Sequence, residues 1–140
     1  MEELYRAKKT RMIGASNVNA SQLAELCAKA AVKPMVVQNR CYAVMGWDRE
    51  VREICRANQI VYQGFSLLTA NQDVLMDPLL SKVGARLGAG VAHVVFRFCQ
   101  QIGMLPLTGT TDADHMKEDL QAERFTLTPE EIRAIESIAV

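Results

Sequence analysis

The stretch Arg11-Met12-Ile13-Gly14-Ala15-Ser16-Asn17 decides how the rest of the chain is read. Arg11 to Ala15 is a short strand-like run that closes on the polar pair Ser16-Asn17. Asn19 follows as a helix N-cap, with Gln22 three residues later in the capping-box position. Leu23, Leu26, Cys27 and Ala30 then keep the 3–4 spacing of one helix face. A strand, a polar turn and an amphipathic helix make one β/α unit.

The same unit recurs along the chain. Met35 to Val37 leads into Gln38, an apolar run without alternation that suits a parallel strand buried on both faces. Asp48 is placed to cap the next helix, where Val51, Ile54 and Cys55 share a face and Asn58 is the stop. Ile60 to Phe65 is the third strand. Asp77-Pro78 starts a helix that runs to about Leu87 and Gly88, and Val91 to Gln101 is a second helix with Val94, Val95 and Phe98 inward. Met104 to Leu107 is the fourth strand. Asp112 opens a helix through Leu120, and Thr128-Pro129-Glu130-Glu131 starts the last, with Ile132, Ile135 and Ile138 inward. Upstream, Glu2 to Lys9 reads as the last turns of a helix. Alternating strands and helices imply parallel strands joined by right-handed crossovers. The pattern alone fits a small open α/β sheet as well as part of a barrel.

No Gly/Ser or Pro-rich linker divides the chain, so residues 1–140 read as one domain. A chain of this length buries roughly 70% of its unfolded surface, enough for a sizeable core. Sixteen basic residues balance sixteen acidic ones, which gives no support for a nucleic-acid or membrane partner. No apolar run approaches the roughly 18 residues of a membrane helix, and the charged start MEELYRAKK has no signal-peptide core. Cys27, Cys41, Cys55 and Cys99 show neither CxxC pairing nor metal-ligand spacing with His. They are expected to be reduced core thiols of a cytoplasmic protein.

In parallel α/β folds, ligands bind where strands end. The four strand ends here carry Ser16-Asn17, Gln38-Asn39, Phe65-Ser66 and Thr108-Gly109-Thr110-Thr111. Amides both donate and accept hydrogen bonds, which suits a carboxamide ligand. A ring stacks on a flat heterocycle. A Gly/Thr turn before a helix presents N–H groups to a phosphate. Each also has a bland reading, as turn residues, core or helix start. Gln38 is the hardest to dismiss, because a polar side chain closing an apolar strand needs a partner.

Taken in order, these segments resemble the aldo/keto reductase family. Ile13-Gly14-Ala15-Ser16-Asn17, a helix, then Val36-Val37-Gln38 is similar to I-G-x-S-N-(F/V) … V-x-Q. Ile60 to Leu68 resembles I-x-V-x-A-Y-S-P-L. Leu105 to Thr111 with His115 to Leu120 resembles I-P-(I/L)-x-(K/G)-(S/T) … R-I-x-E-N-L, and Leu127 to Glu131 resembles L-(S/T)-x-E-E.

The resemblance implies the C-terminal half of a (β/α)8 TIM barrel, with four parallel strands and flanking helices, and NADP(H) laid across the strand ends. It implies that Ser16, Asn17 and Gln38 bind the nicotinamide carboxamide, with Phe65 in place of the usual stacking Tyr. Ser66 and Leu68 would line the pyrophosphate. Gly109, Thr110 and Thr111 would meet the adenosine ribose and its phosphate, and His115, Glu118 and Asp119 the adenine end. Gly109 stands where many members have Lys, His115 where many have Arg and Asp119 where many have Asn, which weakens a 2′-phosphate site. The family's catalytic Asp, Tyr, Lys and His lie on the first four strands. None of Tyr5, Tyr42 or Tyr62 carries the matching motif, and His93 is expected to be structural or solvated. The expectation is an NAD(P)H-dependent oxidoreductase fragment or truncated member. It would have a partial cofactor site and no catalytic tetrad, and be inactive alone. It would act with the missing N-terminal half or as a homo-oligomer that covers two open strand edges. The alternative is a non-enzymatic, dimeric half-barrel that serves as a binding or scaffold protein.

Overall fold

Four short strands form one sheet in the computed structural model, which describes residues 1–139: β1 (Gly14–Ser16), β2 (Val36–Arg40), β3 (Val61–Phe65) and β4 (Met104–Pro106). Their order in the sheet, β1-β2-β3-β4, is their order in the chain, and every pair is parallel. A doubly wound sheet reverses its strand order at a switch point. This one does not, so it is an arc of a (β/α) barrel. The register sets Ser16 beside Gln38, Gln38 beside Gln63, and Gln63 beside Leu105.

The helices are α1 (Glu2–Arg6), α2 (Ala20–Lys29), α3 (Arg49–Ala57), α4 (Gln72–Leu75), α5 (Pro78–Leu87), α6 (Val91–Gln101), α7 (Ala113–Asp119) and α8 (Pro129–Glu136). Asn19–Gln22 and Thr128–Glu131 both form complete capping boxes. Asp77 accepts from the Leu79 N–H ahead of Pro78. Leu23, Val37, Trp47, Val51, Cys55, Tyr62, Val94, Phe98 and Ile135 join one apolar cluster between the sheet and its helices.

Burial of the sheet is one-sided, against the expectation of strands covered on both faces. Val37, Asn39, Tyr62 and Met104 are buried on the helix side. Across the sheet, Val61 is 44% and Leu105 48% exposed. Gly14, Ser16, Val36, Gln38, Gln63 and Phe65 are exposed or half-buried there as well. Among the described residues no helix or strand covers this second face, and an apolar run along a strand does not reveal that. No single helix among them is long and apolar enough to cross a membrane.

The strand boundaries differ from expectation. The first ladder begins at Gly14 rather than Arg11 and includes Ser16. A Cβ at Gly14 would lie 2.5 Å from the Val36 carbonyl oxygen, so only glycine lets the strands approach this closely. β2 runs past Gln38 to Arg40, because Asn39 and Arg40 pair with Gly64 and Phe65. β4 ends at Pro106 in the pairing with Gly64, and the Leu107 N–H still bonds the Gly64 carbonyl at 2.8 Å, so the proline's missing N–H is tolerated as on any edge strand.

Helix α8 is tied to α5 by Arg86, whose guanidinium meets both Glu131 carboxylate oxygens at 2.7 and 2.6 Å. That pairing holds the Glu131 carboxyl below the ordinary carboxylate range. A depressed folded pKa means stability that is present above the unfolded value, about 4.3, and lost as pH falls through the folded one. Glu131→Gln is therefore expected to flatten the acid side of a Tm-against-pH curve below about pH 4.5. Arg86 is half exposed, so the difference at pH 7 is expected to stay under ~1 kcal/mol. An unchanged acid limb would contradict this assignment.

Candidate cofactor site at the strand ends

The first site residues are held by the backbone that β1 and β2 share. Ser16 donates its hydroxyl to the Gln38 carbonyl at 2.8 Å. Asn17 donates its N–H to the same carbonyl at 3.0 Å. Asn17 adopts a left-handed backbone (φ 55°), a conformation that Asn tolerates better than most residues. Its side-chain amide reaches Ser16 Oγ at 3.3 Å, and its Oδ1 accepts from the Arg40 N–H at 3.4 Å. Gln38 donates from Nε2 to Gln63 Oε1 at 3.0 Å. Among the described residues this leaves Gln38 Oε1 and Gln63 Nε2 without a side-chain partner. Ser16, Asn17, Gln38 and Gln63 thus gather hydroxyl and amide groups at one rim, a donor and acceptor set that matches a primary carboxamide. Sequence reading passed over Gln63. Its signal was the one Gln38 gave, an amide inside an apolar strand.

Behind this cluster lies a second polar group, on the buried face. Asn39, 5% exposed, accepts from the Val18 N–H at 3.1 Å and donates to the Val18 carbonyl at 2.8 Å. It also donates to Asp48 Oδ2 at 2.8 Å, and the Tyr62 hydroxyl donates to that same oxygen at 2.7 Å. Asp48 does stand at the N-cap of α3, but its side chain makes no cap hydrogen bond, contrary to expectation. The reason is its backbone. Gly46, Trp47 and Asp48 are all left-handed, with φ of 62°, 54° and 56°. For a residue with a Cβ this costs about 1–2 kcal/mol. Trp47 anchors the turn: it is fully buried, meets Phe98 edge-on at 5.1 Å, and its carbonyl accepts from Arg52 Nε at 2.7 Å. Arg52 is itself buried and paired with Glu136 at 2.6 Å.

Toward β4, Phe65, Ser66, Leu68 and Gly109 line one cavity of about 350 Å³ together with Phe96 and Thr108. Ser66 is left-handed (φ 58°), which turns the chain sharply off β3. The remaining candidates are not gathered there. Thr110 and Thr111 lie in the loop before α7, where Thr110 Oγ1 accepts from the Asp112 N–H at 3.1 Å. His115 and Glu118 are exposed on α7. Asp119 accepts from the Thr108 hydroxyl at 3.0 Å and borders a second, smaller cavity with Leu105 and Pro106. The first-turn N–H groups of α7 that sequence reading offered to a phosphate are in use. Asp112 Oδ1 accepts from Asp114 at 2.8 Å and from His115 at 3.1 Å. The backbone hydrogen bonds from His115 and Asp114 keep its pKa below the ordinary value. An ionised carboxylate therefore occupies the place an anionic ligand would take.

Other reactive groups are muted by burial. Desolvation pushes the Cys41 thiol up to about 12 and the Cys55 thiol to about 11, too high for nucleophiles at neutral pH. Burial likewise raises the Tyr62 hydroxyl, whose proton already goes to Asp48. His93 lies in α6, edge-on to Phe125 at 6.1 Å, with Nδ1 buried and unpartnered among the described residues. All four cysteines are free and buried.

The chain has relatives among known proteins. The Aldo/keto reductase family profile matches residues 1–140. The chain is 29% identical to the 9,11-endoperoxide prostaglandin H2 reductase of Trypanosoma cruzi (strain CL Brener), over 99% of this chain and 49% of that protein. It is 31% identical to NADPH-dependent codeinone reductase 1-4 of Papaver somniferum, over 99% of this chain and 44% of that protein. Among solved structures, MGS-M4, an aldo-keto reductase enzyme from a Medee basin deep-sea metagenome library, superposes with a TM-score of 0.88 at 22% identity. The match covers 97% of this chain and 50% of that one, and shows a shared fold. The chain spans about half the length of the curated relatives it matches. Four parallel β/α units in sequential order, a family profile matched from end to end, and half-length coverage of its relatives agree: this chain is half of a (β/α)8 barrel and belongs to the aldo/keto reductase family.

Proposed function

We propose that these 140 residues form the cofactor-holding half of an NAD(P)H-dependent oxidoreductase. The observation that carries the reading is the Ser16, Asn17, Gln38 and Gln63 cluster, whose hydroxyl and amide groups suit the nicotinamide carboxamide. Phe65, Ser66, Leu68 and Gly109 around the neighbouring cavity suit a stacked ring and the start of a pyrophosphate. The chemistry supplied at such a site is hydride transfer from a reduced nicotinamide. The chain's own residues Ser16, Asn17, Gln38 and Gln63 would hold the amide of such a group, and Phe65 would supply a ring beside it. Four buried thiols suit a reducing compartment such as the cytoplasm.

The adenine end fits less well. Gly109 adds no cation, His115 is exposed, and Asp112 beside Thr110 and Asp119 beside Thr108 add negative charge. A charge-assisted pair to a 2′-phosphate is worth roughly 1.5–3 kcal/mol, about ten- to hundredfold in affinity. The expected result is weak binding of NADPH, above micromolar, with little preference over NADH. Gly109→Lys combined with His115→Arg should then raise NADPH affinity about ten- to hundredfold and leave NADH unchanged. Fluorescence titration of both nucleotides reads this directly. Micromolar NADPH binding by the unaltered chain would refute the weak-site reading.

A second reading, a dimeric half-barrel acting as a binding or scaffold protein, draws on the open sheet. β1 and β4 are edges, and Val61 on β3 and Leu105 on β4 lie exposed on the uncovered face. Unpaired edges and an uncovered apolar face favour pairing with a second copy or with the complementary half. Light scattering of the chain at micromolar concentration is expected to show a dimer or higher oligomer. A stable monomer would count against self-pairing.

A further inference from the structure

Asn39, Asp48 and Tyr62 are buried or half-buried polar groups that the carboxamide reading leaves unexplained. An Asp at the N-terminus of a helix ordinarily accepts from the N–H groups of the first turn. Asp48 gives up that role, and its left-handed backbone aims its carboxylate back toward the sheet. There it receives two donors on one oxygen, Asn39 Nδ2 and the Tyr62 hydroxyl. Asn39 in turn grips both the N–H and the carbonyl of Val18, the residue directly after Ser16-Asn17. We infer that Asp48 is a positioning residue for the carboxamide end of the site. Its carboxylate fixes the Asn39 amide, and Asn39 fixes the left-handed turn that carries Ser16 and Asn17.

Three observations support this direction of action. Asn17 sits at φ 55° with its own N–H on the Gln38 carbonyl, so the turn is already tied to β2 at the residue before Val18. Val18 is bound at both its N–H and its carbonyl by a single side chain rather than by a neighbouring strand. The backbone that aims Asp48 is itself strained at Trp47 and Asp48, both left-handed without being glycine, and strain of this kind is kept where geometry matters. The clamp is a matter of geometry alone; its purpose rests on the cofactor reading above.

The test uses the ¹⁵N-labelled full chain, its Asp48→Ala and Asp48→Asn variants, and two probes, nicotinamide mononucleotide and 2′,5′-ADP. In Asp48→Ala, amide exchange at Asn17 and Val18 is expected to rise at least about tenfold while α6 amides keep their protection. Asp48→Asn keeps an acceptor oxygen but loses the charge, so it should fall between. It also decides the question if the alanine variant does not fold. Shifts induced by nicotinamide mononucleotide at Ser16, Asn17 and Gln38 should weaken in Asp48→Ala, whereas the 2′,5′-ADP response at Thr110 and Thr111 should persist. Unchanged exchange at Val18 would overturn the clamp. So would an equal loss of protection across α6, because the effect would then be general stability. A wild-type chain that gives no response to nicotinamide mononucleotide would sink the cofactor reading instead, and the exchange data would still judge the clamp.

Discussion

With NADPH and a reactive aldehyde in excess, the chain by itself is expected to show no enzymatic turnover. Hydride reaches a carbonyl carbon only as a proton reaches the carbonyl oxygen, and that proton needs a placed acid. Tyr62 does not supply one. The Tyr62 hydroxyl is buried on the helix side of the sheet and donates to Asp48 at 2.7 Å. The rim cluster itself, Ser16, Asn17, Gln38 and Gln63, contains no group that titrates near neutrality. Loss of a positioned acid typically costs about 10²–10⁴-fold, and the uncovered sheet face adds the cost of admitting water. Absorbance at the nicotinamide band, followed with and without the first four β/α units of a relative, reads this. Turnover is expected only when a second half restores the acid. A rate near about one per second from the chain alone, abolished by Tyr42→Phe or Tyr62→Phe, would reveal a catalytic acid this reading lacks.

Trp47→Ala is expected to destabilise the fold by about 3–5 kcal/mol, the range for deleting a fully buried large aromatic. Trp47 is 0% exposed and packs edge-on against Phe98, and its indole N–H points to the Ile135 carbonyl at 3.4 Å. It therefore joins the post-β2 turn to α6 and α8. Its backbone makes a sharper test. At φ 54° an alanine keeps the Cβ penalty and a glycine does not. Trp47→Gly is thus expected to be no less stable than Trp47→Ala, the reverse of the usual order inside regular structure. Urea unfolding followed by circular dichroism, with m unchanged, reads both. A glycine variant clearly weaker than the alanine variant would show that the turn relaxes when the indole is gone. A cost under about 1 kcal/mol for either would show that α6 and α8 do not depend on it.

What the sequence by itself determined is the set of local structures. Asn19 with Gln22 and Thr128 with Glu131 announce their helices because a capping box is closed within four residues. Asp77-Pro78 does the same for α5. Gln38 was legible as an amide that must be partnered, because a polar side chain at the end of an apolar strand cannot be left bare. Tertiary structure alone decided three things. Sequential strand order, and hence an arc of a barrel rather than an open sheet, rests on pairings between residues more than twenty apart, such as Gly14 with Val36. The exposure of Val61 and Leu105 depends on what covers the sheet, which no residue pattern within a strand encodes. Asp48 read as an ordinary helix cap because Asp is a good one. Only the buried Trp47, the left-handed turn it anchors, and the nearby Asn39 and Tyr62 give the carboxylate better partners than the first turn of its own helix.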